Sequence, residues 1–81
     1  MKELFVSEKC IDCRQLMAEA DFHDRFQDAE IIDITESMPN LKRFLAYRDR
    51  LSAYQPVRDG AKVGVPSLVK NGTEVEFFID K

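Results

Sequence analysis

The chain has no apolar run long enough to cross a membrane, because none of its segments approaches the ~20 apolar residues that a span requires. We expect the N-terminus to enter a strand rather than a signal peptide. Its net charge of −3 comes from mixed signs, without the basic stripe or aromatic platform that nucleic-acid binding uses. We therefore expect a cytoplasmic protein whose partners include neither a membrane nor a nucleic acid.

Cysteine and histidine are scarce, with two cysteines and one histidine in 81 residues. A structural metal site needs about four ligands, and Cys10, Cys13 and His23 would fill at most three positions. A disulfide between residues 10 and 13 would close so short a loop that it would stabilise the fold little. His23, between two aspartates, is typical of a solvated surface histidine and receives no role. The number of ligands argues against a metal centre within one chain, and the short loop argues against a purely structural disulfide.

The composition that is present suits one small folded domain. Apolar residues make up 44% of the chain and charged residues 33%, which is ordinary for a globular protein and unlike a disordered one. A chain of this length buries about 60–65% of its unfolded surface, which is enough for one core but not for two. We therefore expect residues 1–81 to fold as a single domain.

The most informative motif is Cys10-Ile11-Asp12-Cys13, which follows the apolar run Leu4-Phe5-Val6 and precedes a stretch with helical periodicity. A strand that delivers a cysteine to the first turn of a helix places its sulfur near unpaired N–H groups, which favour the reactive thiolate. Two intervening residues let both sulfurs meet within one turn, so a disulfide can close and reopen without disturbing the fold. The motif predicts a redox-active pair, with Cys10 attacking and Cys13 buried as the resolving thiol.

Strands and helices alternate along the predicted chain, which ends on a hairpin. The strand at 3–6 is apolar on both faces, as a central strand should be. The spacing of Cys13, Leu16, Met17 and Ala20 marks the buried face of the first helix. In order, the predicted elements are a strand at 3–6, a helix at 11–22, a strand at 31–34, a helix from Pro39 to near Ala53, one helical turn at 55–60, and strands at Ser67–Lys70 and 74–79.

The pairing of these strands follows from their connections. Asn71-Gly72 is a strong hairpin signal, so the last two strands are antiparallel. A strand, helix, strand unit crosses over in the right-handed sense, so the first two strands are parallel. The sequence therefore predicts an α/β fold with a mixed four-stranded sheet in the order βαβαββ, flanked by helices.

Together with this element order, the dithiol after the first strand and Gly64-Val65-Pro66 at the entrance of the third strand resemble a glutaredoxin-related member of the thioredoxin superfamily. The resemblance covers nearly the whole chain and implies a thioredoxin-like, glutaredoxin-type fold. It also implies that the Val65–Pro66 bond is cis and faces the dithiol. In that arrangement the backbone of Val65 is offered to an extended substrate segment, an added-strand mode of recognition.

The activity that the resemblance implies is thiol–disulfide exchange on a protein or a small-molecule disulfide. The reductant would be glutathione or a thioredoxin-reductase type of protein. No resident cofactor is implied, and glutathione is a candidate co-substrate. The catalytic residues would be Cys10 and Cys13, and the predicted substrate-binding residues are Val65, Pro66, Lys9, Arg14 and Ile11.

The chain also departs from the glutaredoxin pattern around the glutathione site. Glutaredoxins commonly carry Pro-Tyr between the cysteines, where this chain has Ile11-Asp12, and a lysine where this chain has Ser7. Glutaredoxins also have a glycine pair and a C-terminal helix after the hairpin, and we expect neither in this chain. We therefore expect weak recognition of glutathione. Lys9 and Arg14 favour the Cys10 thiolate, and we expect them to outweigh the solvated Asp12.

Two alternatives use the same cysteines. In the first, two chains each contribute Cys10 to an iron–sulfur cluster or another soft metal, which absorbance bands of protein purified without oxygen would reveal. In the second, the dithiol controls a partner interaction with little turnover. Phe78 lies on the polar side of the fourth strand and is a candidate contact for a second copy. We nevertheless expect a monomer.

Overall fold

Strands and helices alternate along the chain in the computed structural model, which describes residues 1–60 and 62–78. The elements are β1 (Lys2–Val6), α1 (Ile11–Met17), α2 (Phe22–Arg25), β2 (Ala29–Asp33), α3 (Met38–Arg48), a 3-10 turn (Ser52–Tyr54), α4 (Gln55–Asp59), β3 (Ser67–Lys70) and β4 (Glu74–Phe77). The strands form one sheet in the order β2-β1-β3-β4. β1 runs parallel to β2 and antiparallel to β3, and β3 is antiparallel to β4. The predicted small α/β domain with a mixed four-stranded sheet is confirmed.

The central strand β1 is covered on both faces, as its unbroken apolar run predicts. Leu4 and Phe5 are completely buried, and their side chains point to opposite faces because successive residues of a strand alternate. On one face, the ring of Phe5 lies 5.2 Å from that of Phe44 in α3. On the other face, Phe26, directly after α2, packs edge-on against Phe78. The sheet is therefore the middle layer between α3 and the short helices α1 and α2.

The first helical stretch is broken, whereas the sequence predicts one helix over 11–22. α1 ends at Met17, and α2 begins at Phe22 after an irregular turn. In a continuous helix Phe22 would lie on the face opposite Cys13, because nine residues at 100° each give half a turn. The break turns Phe22 into the core, where it is only 6% exposed. The prediction of Ala20 as a buried position was wrong, since that residue is exposed.

The second long helix begins as predicted and ends earlier. Ser37 is the N-cap of α3, and its hydroxyl accepts the N–H of Asn40 at 3.3 Å. The helix ends at Arg48 rather than near residue 53. The guanidinium of Arg58 donates to the carbonyls of Arg48 and Leu51, which satisfies acceptors that a continuing helix would have used. The predicted single helical turn at 55–60 is confirmed as α4.

Strand boundaries differ from the predicted ones by one to two residues. β2 covers Ala29–Asp33 instead of 31–34, and Ile34 is buried just beyond it, donating its N–H to the carbonyl of Val6 at 2.8 Å. β4 ends at Phe77, and residue 79 of the predicted strand lies outside the described residues. The hairpin turn has positive φ at both Asn71 and Gly72, as its sequence predicts.

Phe78 was predicted as an exposed aromatic, and that prediction was wrong. Its side chain is half-buried, and its ring centroid lies 5.3 Å from that of Phe26. The guanidinium carbon of Arg25 lies 5.7 Å from the same ring. The ring of Phe78 therefore packs against the core residue Phe26 at the end of α2.

No helix in the ranges 1–60 and 62–78 is both long enough and apolar enough to span a membrane. The longest, α3, has 11 residues, which is about half of the length that a span needs. It instead packs on the sheet through the buried ring of Phe44.

A buried carboxylate ties α3 to the sheet. Glu3 is only 4% exposed, and its two oxygens accept from the Tyr47 hydroxyl at 2.6 Å and from Arg43 Nη2 at 2.7 Å. Arg43 also binds Glu30 of β2. The hydrogen bond to Glu3 raises the pKa of Tyr47, because ionisation of the phenol would break it beside a negative charge. One guanidinium thus links α3 to two neighbouring strands.

Replacing Arg43 with alanine is expected to destabilise the protein by about 2 kcal/mol, because it leaves the buried Glu3 carboxylate without its cation. The value is below that of a fully buried pair because Arg43 is 39% exposed. Urea unfolding at neutral pH measures the change. Lys42→Ala, at an exposed neighbouring position of the same helix, is the control and should change stability by less than ~0.5 kcal/mol. Equal stability of the two variants would contradict the assigned pairing.

Candidate functional site

Cys10 occupies the junction between β1 and α1 and is the N-cap of α1. Its Sγ accepts the backbone N–H of Cys13 at 3.4 Å, and its carbonyl accepts that of Arg14 at 3.0 Å. Its own N–H donates to the carbonyl of Ser7. The extended backbone of Cys10 suits a capping residue. Its half-buried side chain is therefore held at the beginning of the helix by local hydrogen bonds.

Cys13 lies one turn further along α1 and is fully buried. Both cysteines are free thiols in the structure. Residues three apart on a helix have Cβ atoms about 5–6 Å apart, so a modest adjustment brings the two sulfurs into bonding range. Burial and the neighbouring Cys10 thiol raise the pKa of Cys13 to about 12. The arrangement therefore pairs an accessible thiol with one that is sheltered from solvent.

The segment that enters β3 lies against Cys10. The Cys10 thiol is 3.7 Å from the carbonyl oxygen of Val65, to which it can donate. The Val65–Pro66 bond is cis, as the resemblance implies. Val65 is 7% exposed, and Pro66 is fully buried behind it. Residues 55 positions apart in sequence thus meet at one site.

An open groove of about 650 Å³ runs past Cys10, and we call it the Cys10 groove. Its walls are mostly apolar, and charged side chains stand along it. Such a surface suits an extended segment with an apolar side chain better than a compact, highly charged ligand. The lining residues are Ser7, Lys9, Cys10, Asp12, Ile34, Thr35, Leu41, Lys62, Val63, Gly64 and Val65.

The predicted site residues divide into three groups. Cys10, Lys9 and Val65 line the groove together. The two that lie buried behind it are Cys13 and Pro66. The two that are exposed on α1, outside the groove lining, are Ile11 and Arg14. Of the predicted substrate-binding residues, Lys9 and Val65 therefore line the groove, and Pro66 is buried next to Val65.

An uncharacterized protein of Haemophilus influenzae (strain ATCC 51907 / DSM 11121 / KW20 / Rd) is 30% identical to this chain over 79 residues. The match covers 96% of this chain and 88% of that protein. The chain belongs to the same family as that protein. No family model and no solved structure matches the chain.

Sequence reasoning missed the far wall of the groove, which comes from the end of β2 and from α3. Ile34 and Leu41 belong to runs that read as ordinary core positions. Lys62 and Val63 precede the recognised Gly64-Val65-Pro66 segment and could have been found as its continuation. The wall formed by Ile34 and Leu41 has no local signal, because it depends on how β2 and α3 pack beside β1.

A small polar cluster at the groove was also missed, in which Ser7 and Thr35 belong to the groove lining. The hydroxyl groups of Ser7 and Thr35 lie 3.2 Å apart, and Ser7 Oγ accepts the N–H of Lys9. Burial opposes ionisation of Asp33, but hydrogen bonds from the hydroxyl and N–H of Thr35 outweigh it and lower the pKa of Asp33. The cluster joins the loop before Cys10 to the end of β2 and so helps to hold Cys10 in place.

Alkylation should separate the two thiols clearly. In the folded protein at pH 8, iodoacetamide is expected to modify Cys10 at least about a hundredfold faster than Cys13, because a buried thiol with a raised pKa is scarcely ionised. Peptide mapping by mass spectrometry measures both rates. In a denaturing concentration of guanidinium chloride the two rates should converge. Equal rates in the folded state would contradict the burial of Cys13.

Proposed function

We propose that the protein is a thiol–disulfide oxidoreductase, related to the glutaredoxins within the thioredoxin superfamily. The observation that carries the proposal is the position of the Cys10 thiol, which faces a groove while Cys13 lies buried one helical turn behind it. A purely structural cysteine pair would gain nothing from an open apolar groove. The dithiol at the end of the central strand of a mixed sheet is consistent with a thioredoxin-like fold.

The reaction begins at the accessible sulfur. The Cys10 thiolate attacks one sulfur of a substrate disulfide, which breaks the S–S bond and releases the other half as a thiolate that takes up a proton. The N–H of Cys13, 3.4 Å from Cys10 Sγ, is placed to stabilise negative charge on that sulfur. Cys10 is then joined to the remaining half of the substrate in a mixed disulfide.

The second step returns the site to a closed state. Cys13 loses its proton and attacks Cys10 Sγ, which forms the Cys10–Cys13 disulfide and releases the second substrate thiol. Two electrons and two protons have then passed from the dithiol to the substrate. An external thiol reductant, either glutathione or a reductase protein, restores the dithiol. Because Cys13 is buried, its proton transfer is expected to require a small opening at the start of α1.

Substrate alignment is the proposed role of the segment that ends at Val65. The carbonyl of Val65 lies beside the reacting thiol, so a substrate strand that bonds to it would carry its own disulfide to Cys10. Lys9 and Lys62 stand along the groove as candidate contacts for a substrate carboxylate. The apolar walls formed by Ile34 and Leu41 favour a peptide disulfide over free glutathione.

Disulfide-reductase turnover with two electron sources tests the proposal. Hydroxyethyl disulfide is supplied as substrate, and NADPH oxidation is followed with glutathione plus glutathione reductase in one series and with thioredoxin reductase in another. Turnover in either series that disappears with Cys10→Ser establishes the activity and names the electron source. A folded wild-type protein that neither turns over nor forms a mixed disulfide with the substrate would refute the proposed function.

A further inference from the structure

One wall of the Cys10 groove is formed by backbone that lacks regular secondary structure. Lys62 and Val63 lie between α4 and the buried Val65, and both side chains are exposed. Val63 is 56% exposed, so packing of its side chain gives the segment little support. The position of this wall therefore depends on hydrogen bonds to its backbone, one of which runs from the N–H of Lys62 to the carbonyl of Val57.

The guanidinium of Arg48 supplies two further bonds to this wall. Its Nε donates to the carbonyl of Val63 at 2.9 Å, and its Nη2 donates to that of Lys62 at 2.5 Å. Arg48 is the last residue of α3, and its side chain is 20% exposed. The planar fork of arginine suits two adjacent carbonyl groups, and each bond carries the strength of a charged donor.

A second arginine holds the end of α3 from which Arg48 projects. Arg58 of α4 donates to the carbonyl of Arg48 itself and, at 3.1 Å, to that of Leu51. It also receives support from the side-chain carbonyl of Gln55 at 2.7 Å. The end of α3, helix α4 and the groove wall are thus joined through two guanidinium groups.

We propose that Arg48 is a positioning residue for substrate, which holds the 62–63 wall at the spacing that an extended peptide needs to reach Val65 and Cys10. Arg48 is absent from the groove lining and acts through the two carbonyls that it binds. The inference rests on the proposed function and adds to it a determinant of peptide recognition. Small disulfides that react at Cys10 without filling the groove do not depend on this wall.

The test compares two disulfides that release the same coloured thiol. One is a synthetic octapeptide with an internal cysteine that is disulfide-bonded to thionitrobenzoate. The other is the symmetric disulfide of thionitrobenzoate, called bis-thionitrobenzoate below. Cys10 attacks the peptide sulfur because thionitrobenzoate is the better leaving group, and Cys13 then releases the peptide thiol while the Cys10–Cys13 disulfide forms. Pre-reduced protein mixed with a range of peptide concentrations reports the half-saturating concentration and the maximal rate separately.

Replacing Arg48 with alanine is expected to raise the half-saturating peptide concentration about tenfold, with the maximal rate changed less than about twofold, because binding to the groove is lost rather than chemistry at the thiol. The rate with bis-thionitrobenzoate should stay within about twofold of wild type. Arg48→Lys keeps the charge without the planar fork, so it should recover part of the loss and serves as the test variant should Arg48→Ala fail to fold. The control is Arg50→Ala, which removes an exposed arginine that stacks on Tyr47.

The outcomes distinguish the positioning role of Arg48 from the oxidoreductase activity itself. A selective loss with the peptide in Arg48→Ala, partly recovered in Arg48→Lys and absent in Arg50→Ala, supports the positioning role. Equal losses with both disulfides, or no loss with either, would overturn that role while leaving the oxidoreductase intact. A wild-type protein that is inert toward both disulfides would remove the proposed function and this inference with it.

Discussion

The Cys10→Ser variant should lose disulfide-reductase turnover by about a thousandfold or more, because a serine hydroxyl is neither ionised nor nucleophilic enough to open a disulfide near neutral pH. Serine has the branching of cysteine with a smaller atom in place of sulfur, and Cys10 is half-buried rather than in the core, so little packing is lost. The fold should therefore survive the change. The measurement is NADPH-coupled turnover, with circular dichroism to show that the variant is folded.

Cys13→Ser provides the matched control for this result. The first attack at Cys10 should still occur, but the mixed disulfide can no longer be resolved from within the chain. Mass spectrometry of the intact protein should then show a stable adduct with one half of the substrate. Undiminished turnover of Cys10→Ser, or an adduct on residue 13 in the wild type, would contradict the assigned order of the two thiols.

Replacing Gly64 with alanine should destabilise the fold by about 3 kcal/mol, through backbone strain and a steric clash together. Gly64 has φ of +99°, which a residue with a Cβ rarely adopts. A Cβ built there would also lie 2.9 Å from Val57 Cγ1, beside the buried ring of Tyr54. Because Gly64 directly precedes Val65, relief of the clash should move the groove wall and slow peptide reduction as well.

Gly72→Ala is the matched control, since Gly72 also has positive φ but a Cβ there meets nothing within 4 Å. Its cost should be limited to backbone strain of about 1 kcal/mol. Urea unfolding of both variants measures the difference, and reductase assays in the folded range test the groove. Equal destabilisation of the two variants would show that the contact with Val57 contributes nothing.

Elements with a local chemical signal were predicted well from sequence. The start of α3 follows from a serine cap and a proline in the first turn, both of which act within a few residues. The β3–β4 turn follows from Asn71-Gly72, because those residues accept positive φ. The central position of β1 follows from its apolar run, which only a strand covered on both faces can bury.

Helix endings were predicted poorly because distant packing decides them. α1 stops at Met17, and the break lets Phe22 reach the core. The helical periodicity of residues 11–22 gives no sign of this break. α3 stops at Arg48, where Arg58 from the next helix binds its free carbonyls. Strand alternation alone predicts an exposed Phe78. In the structure, Phe26, 52 positions earlier, packs against its ring.

The sequence by itself determined the dithiol and its place between a strand and a helix, which depend on spacing and on the residue types that thiol chemistry requires. The Val65-Pro66 segment was expected beside the dithiol only because the chain resembles the glutaredoxins. Only the tertiary structure decided what surrounds the Cys10 thiol. The groove wall comes from Ile34, Leu41 and Val63, which converge because β2, α3 and the loop before β3 pack around β1. Such convergence is set by the burial of the whole core, and no short stretch of sequence contains it.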